Sequence, residues 1–139
     1  MMKREFHLPE QDVIYLNGLG LPWEAVNDRG MQWVIIHHYP LPAGYNISEV
    51  SVAIKIQTGY PRAALDMAYF FPALFRLDSK TINATTVQPI ADKQYQRWSR
   101  HRTGQNPWRE DIDDLSTHMA LVSFWFEQEF IKQPNGIAA

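Results

Sequence analysis

Cysteine is absent from all 139 residues. That removes disulfides, thiolate nucleophiles and cysteine-ligated metals together. An excess of positive charge is also missing. Thirteen Lys and Arg face fifteen Asp and Glu, a formal net charge of -2. Phosphate recognition normally shows as a basic excess, so a nucleic-acid partner is not expected. No apolar run approaches the roughly 20 residues a bilayer span requires, so no membrane partner is expected either. Lys3 and Arg4 have no apolar stretch behind them. A secretory leader is therefore not expected, and the cytoplasm is the default compartment. Glycine-rich fingerprints for dinucleotides or nucleoside triphosphates are missing, and so are internal repeats.

The length and the 45% apolar share predict one globular domain over residues 1–139. Five Trp, six Tyr and seven Phe are a large aromatic payload for this length. Such side chains suit a core or a partner surface.

The order of elements reads α+β. Leu8-Pro9-Glu10-Gln11-Asp12 opens a short helix that ends near Gly18 or Gly20. Residues 23–26 and 31–39 form strands around an Asn27-Asp28-Arg29-Gly30 turn. Val50, Val52, Ile54 and Ile56 alternate with Glu49, Ser51, Ala53 and Lys55, which predicts a strand with one face on the core. Residues 66–71 are a fourth strand, burying Met67, Tyr69 and Phe71 or their neighbours. Residues 72–104 read as irregular, with local pairing open to 74–77 and 85–87; long connections often carry function. A C-terminal helix follows, capped by Asp111 with Asp113 and Asp114 in its first turn. Leu115, Met119, Val122, Phe126 and Phe130 recur along it at helical spacing. Gln133-Pro134-Asn135-Gly136 ends it, and the tail beyond frays.

Arg97-Trp98-Ser99-Arg100-His101-Arg102 is the densest polar-aromatic cluster. Its cations suit a carboxylate, a phosphate or an acidic partner, and His101 suits acid–base work near neutral pH. The bland alternative is a solvated basic loop pinned by a buried Trp98. His37 and His38 are adjacent in a strand and should point to opposite faces, which is poor geometry for one metal. A His7, His37 and His118 cluster has no spacing signature, and His118 reads as a packing or hydrogen-bonding residue. No cofactor or metal is called for. Ser99 and His101 are two residues apart, and no third member of a triad is evident.

Several ordered motifs resemble the ubiquitin-conjugating (E2, UBC) fold, and more closely the prokaryotic E2 family E. They are Leu8-Pro9, Leu21-Pro22-Trp23, Leu41-Pro42-Ala43-Gly44-Tyr45, Gly59-Tyr60-Pro61 and Asp66-Met67. Gln96-Arg97-Trp98-Ser99-Arg100-His101 and Pro107-Trp108-Arg109 follow, ahead of the last helix. The resemblance spans about residues 8–131. It implies an N-terminal helix, a four-stranded antiparallel meander, an irregular active-site segment and a C-terminal helix. It also implies a bacterial conjugation system with a ubiquitin-like protein, an E1-like activating enzyme and often a deconjugating protease. Trp108 resembles the family's Trp that leads into the following helix. The thioester-forming cysteine would fall near residues 98–101, where none stands.

Three readings follow from that departure. The chain is a noncatalytic partner of the ubiquitin-like protein or the E1. Or Ser99 and His101 carry an unusual acyl transfer, with Arg97, Arg100 or Arg102 at the oxyanion or the modifier's carboxylate. Or a cysteine has been replaced in an active E2. The residues expected at a docking surface are Arg97, Trp98, Arg100, Arg102, Trp108 and Arg109.

Overall fold

The computed structural model describes residues 2–132. Helix α1 (Glu10–Gly18) is followed by β1 (Trp23–Asp28), β2 (Met31–Pro40), β3 (Glu49–Ile56) and β4 (Ala68–Phe71). Then come β5 (Thr85–Ile90), β6 (Lys93–Trp98) and α2 (Leu115–Lys132). The expected four-stranded meander is present. It is extended by a β5–β6 hairpin within the segment expected to be irregular, where the sequence leaves local pairing at 85–87 open. The result is one six-stranded antiparallel sheet in the order β1-β2-β3-β4-β6-β5.

Period-two alternation places the two cores. Val34, Ile36, Val50, Val52, Ile54, Phe70 and Trp98 face the helices and meet Leu16 of α1 and Leu115, Met119, Val122 and Phe126 of α2. Val26, Trp33, Ile35, Ala53, Tyr69 and Tyr95 form a smaller cluster on the opposite, outer face. In β4 it is thus Ala68 and Phe70 that enter the main core, while Tyr69 enters the second.

A β-bulge interrupts β2. Ile36 pairs with Val52 and Tyr39 with Val50, so His37 and His38 together oppose Ser51. His38 takes a positive φ of 59°. The bulge cancels the expected opposition of the two histidines. His37 Nδ1 meets Ser51 Oγ and His38 Nδ1 meets Glu49 Oε1, and Ser51 and Glu49 lie on the same face of β3.

The cap of α2 is Asp114 rather than Asp111. Its Oδ1 accepts from the Thr117 backbone N–H at 3.2 Å, and Thr117 Oγ1 accepts from the Asp114 N–H at 3.0 Å. This reciprocal pair satisfies two orphan donors of the helix start. Asp113 turns back to Arg109 instead. Asp114→Ala is expected to cost about 1 kcal/mol of stability, read as a shift in urea midpoint.

Asp12 joins the two helices. Fully buried, it accepts the Tyr60 hydroxyl at 2.6 Å and the backbone N–H of Leu115 at 3.3 Å. Burial pushes its pKa up against those two hydrogen bonds. Among the described residues no helix is long and apolar enough to cross a membrane. The expected frayed tail, residues 133–139, lies outside the described residues.

Candidate functional site

The chain leaves β6 at Trp98 and runs over the sheet end toward α2. Ser99 N–H donates to Ala84 O, and Met67 N–H donates to Arg100 O, fixing the start of this segment. A groove of about 640 Å³ lies between it and α2. Ser99, Arg100, His101, Thr103 and Asn106 form one wall; Leu121, Phe124, Trp125, Gln128 and Lys132 form the other. Phe124 is 53% exposed, a large apolar surface at the groove edge.

His101 is held by Asp66, which lies just ahead of β4. Its Nδ1 lies 2.7 Å from Asp66 Oδ2. A carboxylate accepts, so the Nδ1–H donates and Nε2 is left as the free ring nitrogen. No hydrogen bond joins His101 to Ser99 among the described residues. Both line the groove, but the imidazole is turned to Asp66.

The arginines divide. Arg100 is a fastener: it donates to Asn83 O at 3.1 Å, stacks 4.9 Å from the Trp98 ring and reaches Glu129 at 3.6 Å. Glu129 is shared with buried Arg76, 3.1 Å away. Arg102 turns inward to Leu65 O and donates to His118 Nδ1 at 3.1 Å. Its guanidinium lies 4.7 Å from the Trp108 ring. Arg97 sits on β6 between Tyr69 and Thr86, away from the groove, with a buried Nε that has no partner among the described residues. Trp108 donates to Pro61 O at 3.0 Å and packs on Tyr60. Arg109 pairs with Asp113.

Trp98 is corrected from docking residue to core residue. It is 0% exposed and offers a partner no surface. Of the residues named from sequence, the groove gathers Ser99, Arg100 and His101. Trp125, Phe124 and Lys132 join them from α2, outside the site residues expected from sequence.

His118 supports this floor from below. Its Nε2–H donates to Met67 O at 2.8 Å, and Nδ1 accepts from Arg102. Both partners fix the neutral tautomer. Burial, with Arg102 adding to it against the Met67 bond, pulls its pKa down from 6.5 to about 4. The ring also meets Trp125 edge-on at 5.7 Å. Because the folded pKa lies below the unfolded value, the unfolded chain takes up the proton first. Stability is therefore full above about pH 6.5 and falls as pH drops toward 4, by about 3 kcal/mol from this group. An NMR titration of the His118 imidazole should show the ring still predominantly neutral at pH 5. A midpoint near 6.5 contradicts the buried neutral ring.

The helix–meander–helix architecture defines an E2-like, UBC-type α+β protein, and the chain has no thiol to carry a thioester. It belongs to the prokaryotic E2 family E, whose family model matches residues 8–129. No curated protein and no solved structure matches it. No group of three or more His, Asp or Glu that could hold a metal occurs among the described residues.

Proposed function

We propose that this chain is a docking component of a bacterial ubiquitin-like conjugation system, noncatalytic at its groove, acting in the cytoplasm as one E2-like domain. Its groove receives the extended C-terminal tail of the ubiquitin-like protein, delivered by the E1-like activating enzyme; a deconjugating protease acts in the same system. The observation that carries this reading is the groove itself. It flanks the place where the family resemblance puts the missing cysteine. It offers an apolar wall (Leu121, Phe124, Trp125) for tail side chains and Lys132 for a terminal carboxylate.

Acyl transfer by Ser99 and His101 is the weaker reading, because His101 Nδ1 is bound to Asp66 rather than to Ser99. Arg100 and Arg102 are poor probes of docking, since both fasten the fold. Phe124 and Lys132 are exposed and suitable. Phe124→Ala and Lys132→Glu are each expected to weaken calorimetric binding of the processed ubiquitin-like protein by about tenfold, with an unchanged melting temperature. Unchanged affinity in both contradicts the groove as the docking site.

A further inference from the structure

The outer face of the sheet carries a linked set of side chains unrelated to the groove. Ser51 on β3, His37 on β2 and Glu24 on β1 lie in a row across three neighbouring strands. His37 Nδ1 is 2.8 Å from Ser51 Oγ, and His37 Nε2 is 2.7 Å from Glu24 Oε2. Glu24 also accepts the backbone N–H of Lys3 at 3.3 Å. Burial alone would raise the Glu24 pKa; the bonds from His37 and Lys3 outweigh it and hold the carboxyl below its usual range.

Roles follow from donor and acceptor chemistry. An ionised carboxylate only accepts, so the imidazole proton sits on Nε2. Nδ1 then presents its lone pair to the Ser51 hydroxyl. A serine bonded to a base that is oriented by a carboxylate is the general pattern of an activated nucleophile, whichever ring nitrogen faces the serine. The bulge creates it. With His37 and His38 both opposite Ser51, and His38 at φ 59°, the chain spends backbone strain to aim His37 between Ser51 and Glu24. The row is reachable: the side chains of His37 and Glu24 retain 23% and 16% exposure. Phe71 is the register partner of Ser51, and Lys93 Nζ lies 5.0 Å from the Phe71 ring. An acyl group on Ser51 would thus lie beside an apolar ring with a cation at its far side.

We infer that Ser51, His37 and Glu24 form a serine acyl-transfer site on the outer face, taking the acyl group of an activated ester or thioester. Ser51 Oγ attacks the carbonyl carbon and an O–C bond forms. The bond to the leaving alkoxide or thiolate breaks. The hydroxyl proton passes to His37 Nδ1 and on to the leaving group. Water, deprotonated by the same nitrogen, then releases the acid and restores Ser51. Glu24 is the positioning residue.

The test is covalent labelling of the whole chain with diisopropyl fluorophosphate, in which fluoride leaves and the proton goes to His37. Sites and rates are read by peptide mass spectrometry, with 4-nitrophenyl acetate turnover alongside. One equivalent of adduct at Ser51 is expected, formed faster than at any serine of the urea-unfolded chain. His37→Gln should slow Ser51 labelling about a hundredfold, and Glu24→Gln should slow it too, while circular dichroism shows both variants folded. A purely structural clamp would leave Ser51 no more reactive than in the unfolded chain. That result overturns the inference. So does labelling at other residues only, or labelling of Ser51 that is indifferent to folded His37→Gln.

Discussion

Trp98→Ala is expected to lower the stability of the fold by about 4 kcal/mol. The indole is fully buried where β6, β4 and α2 meet. Its ring makes edge-on contacts with Phe70 at 5.0 Å and Phe126 at 5.8 Å, and a tilted one with Tyr45 at 6.3 Å. Truncation leaves a cavity and forfeits these pairs. The polar cost adds to the apolar one. The Trp98 Nε1–H donates to Gln96 Oε1 at 3.0 Å, and the same amide binds both the N–H and the carbonyl of Leu74. Arg100 would lose the ring it stacks on, loosening the start of the groove segment. Urea unfolding followed by circular dichroism measures the effect. A variant of unchanged stability but lost partner binding would return Trp98 to the surface role that its sequence neighbourhood suggests.

Gly44→Ala should cost about as much, for a different reason. Gly44 adopts φ +114°, a conformation L side chains rarely take. A Cβ there would stand 2.5 Å from Phe130 Cζ and 2.9 Å from its Cε1. The ring has little freedom to yield: it packs edge-on against Tyr45 at 5.1 Å, with the Arg76 guanidinium 4.6 Å away. The backbone is tied as well, since Gly44 O accepts from Leu77 N–H and Tyr45 Oη–H donates to Phe126 O. Strain and overpacking together predict a loss of about 4 kcal/mol in thermal or urea unfolding. Gly44→Ala with Phe130→Leu should recover part of it, because only the steric share is relieved. No recovery would place the whole cost in the backbone.

The fold was legible wherever burial imposed a period. β3 reads directly from Val50, Val52, Ile54 and Ile56, and α2 from the spacing of Leu115 to Phe126. The β5–β6 hairpin was not legible. Its strands carry Thr85, Thr86, Gln88, Gln94 and Gln96, with no clean apolar alternation. Its two-residue turn uses Ala91 and Asp92 at φ 46° and 71°, without the glycine that usually announces such a turn. The bulge at His37 and His38 escaped for a related reason: one inserted residue breaks a parity rule that has no local marker.

The candidate site was half legible. Ser99, Arg100 and His101 do line one groove. The fates of Arg102, Trp108 and Arg109 were set by partners far from the cluster or behind it, namely His118, Pro61 O and Asp113. A basic-aromatic run shows which groups need satisfying. It does not show which carbonyl or carboxylate the fold will bring to them. The same holds for Asp66, whose carboxylate meets His101 across 35 positions of chain.

The most direct test of the docking account is an NMR titration of the isotope-labelled chain with the processed ubiquitin-like protein. The account predicts amide shift changes at Ser99 to Asn106 and along the Leu121–Phe124–Gln128–Lys132 side of α2, with the outer-face strands undisturbed. Changes confined to the outer face or to α1, or none at saturating partner, would contradict it.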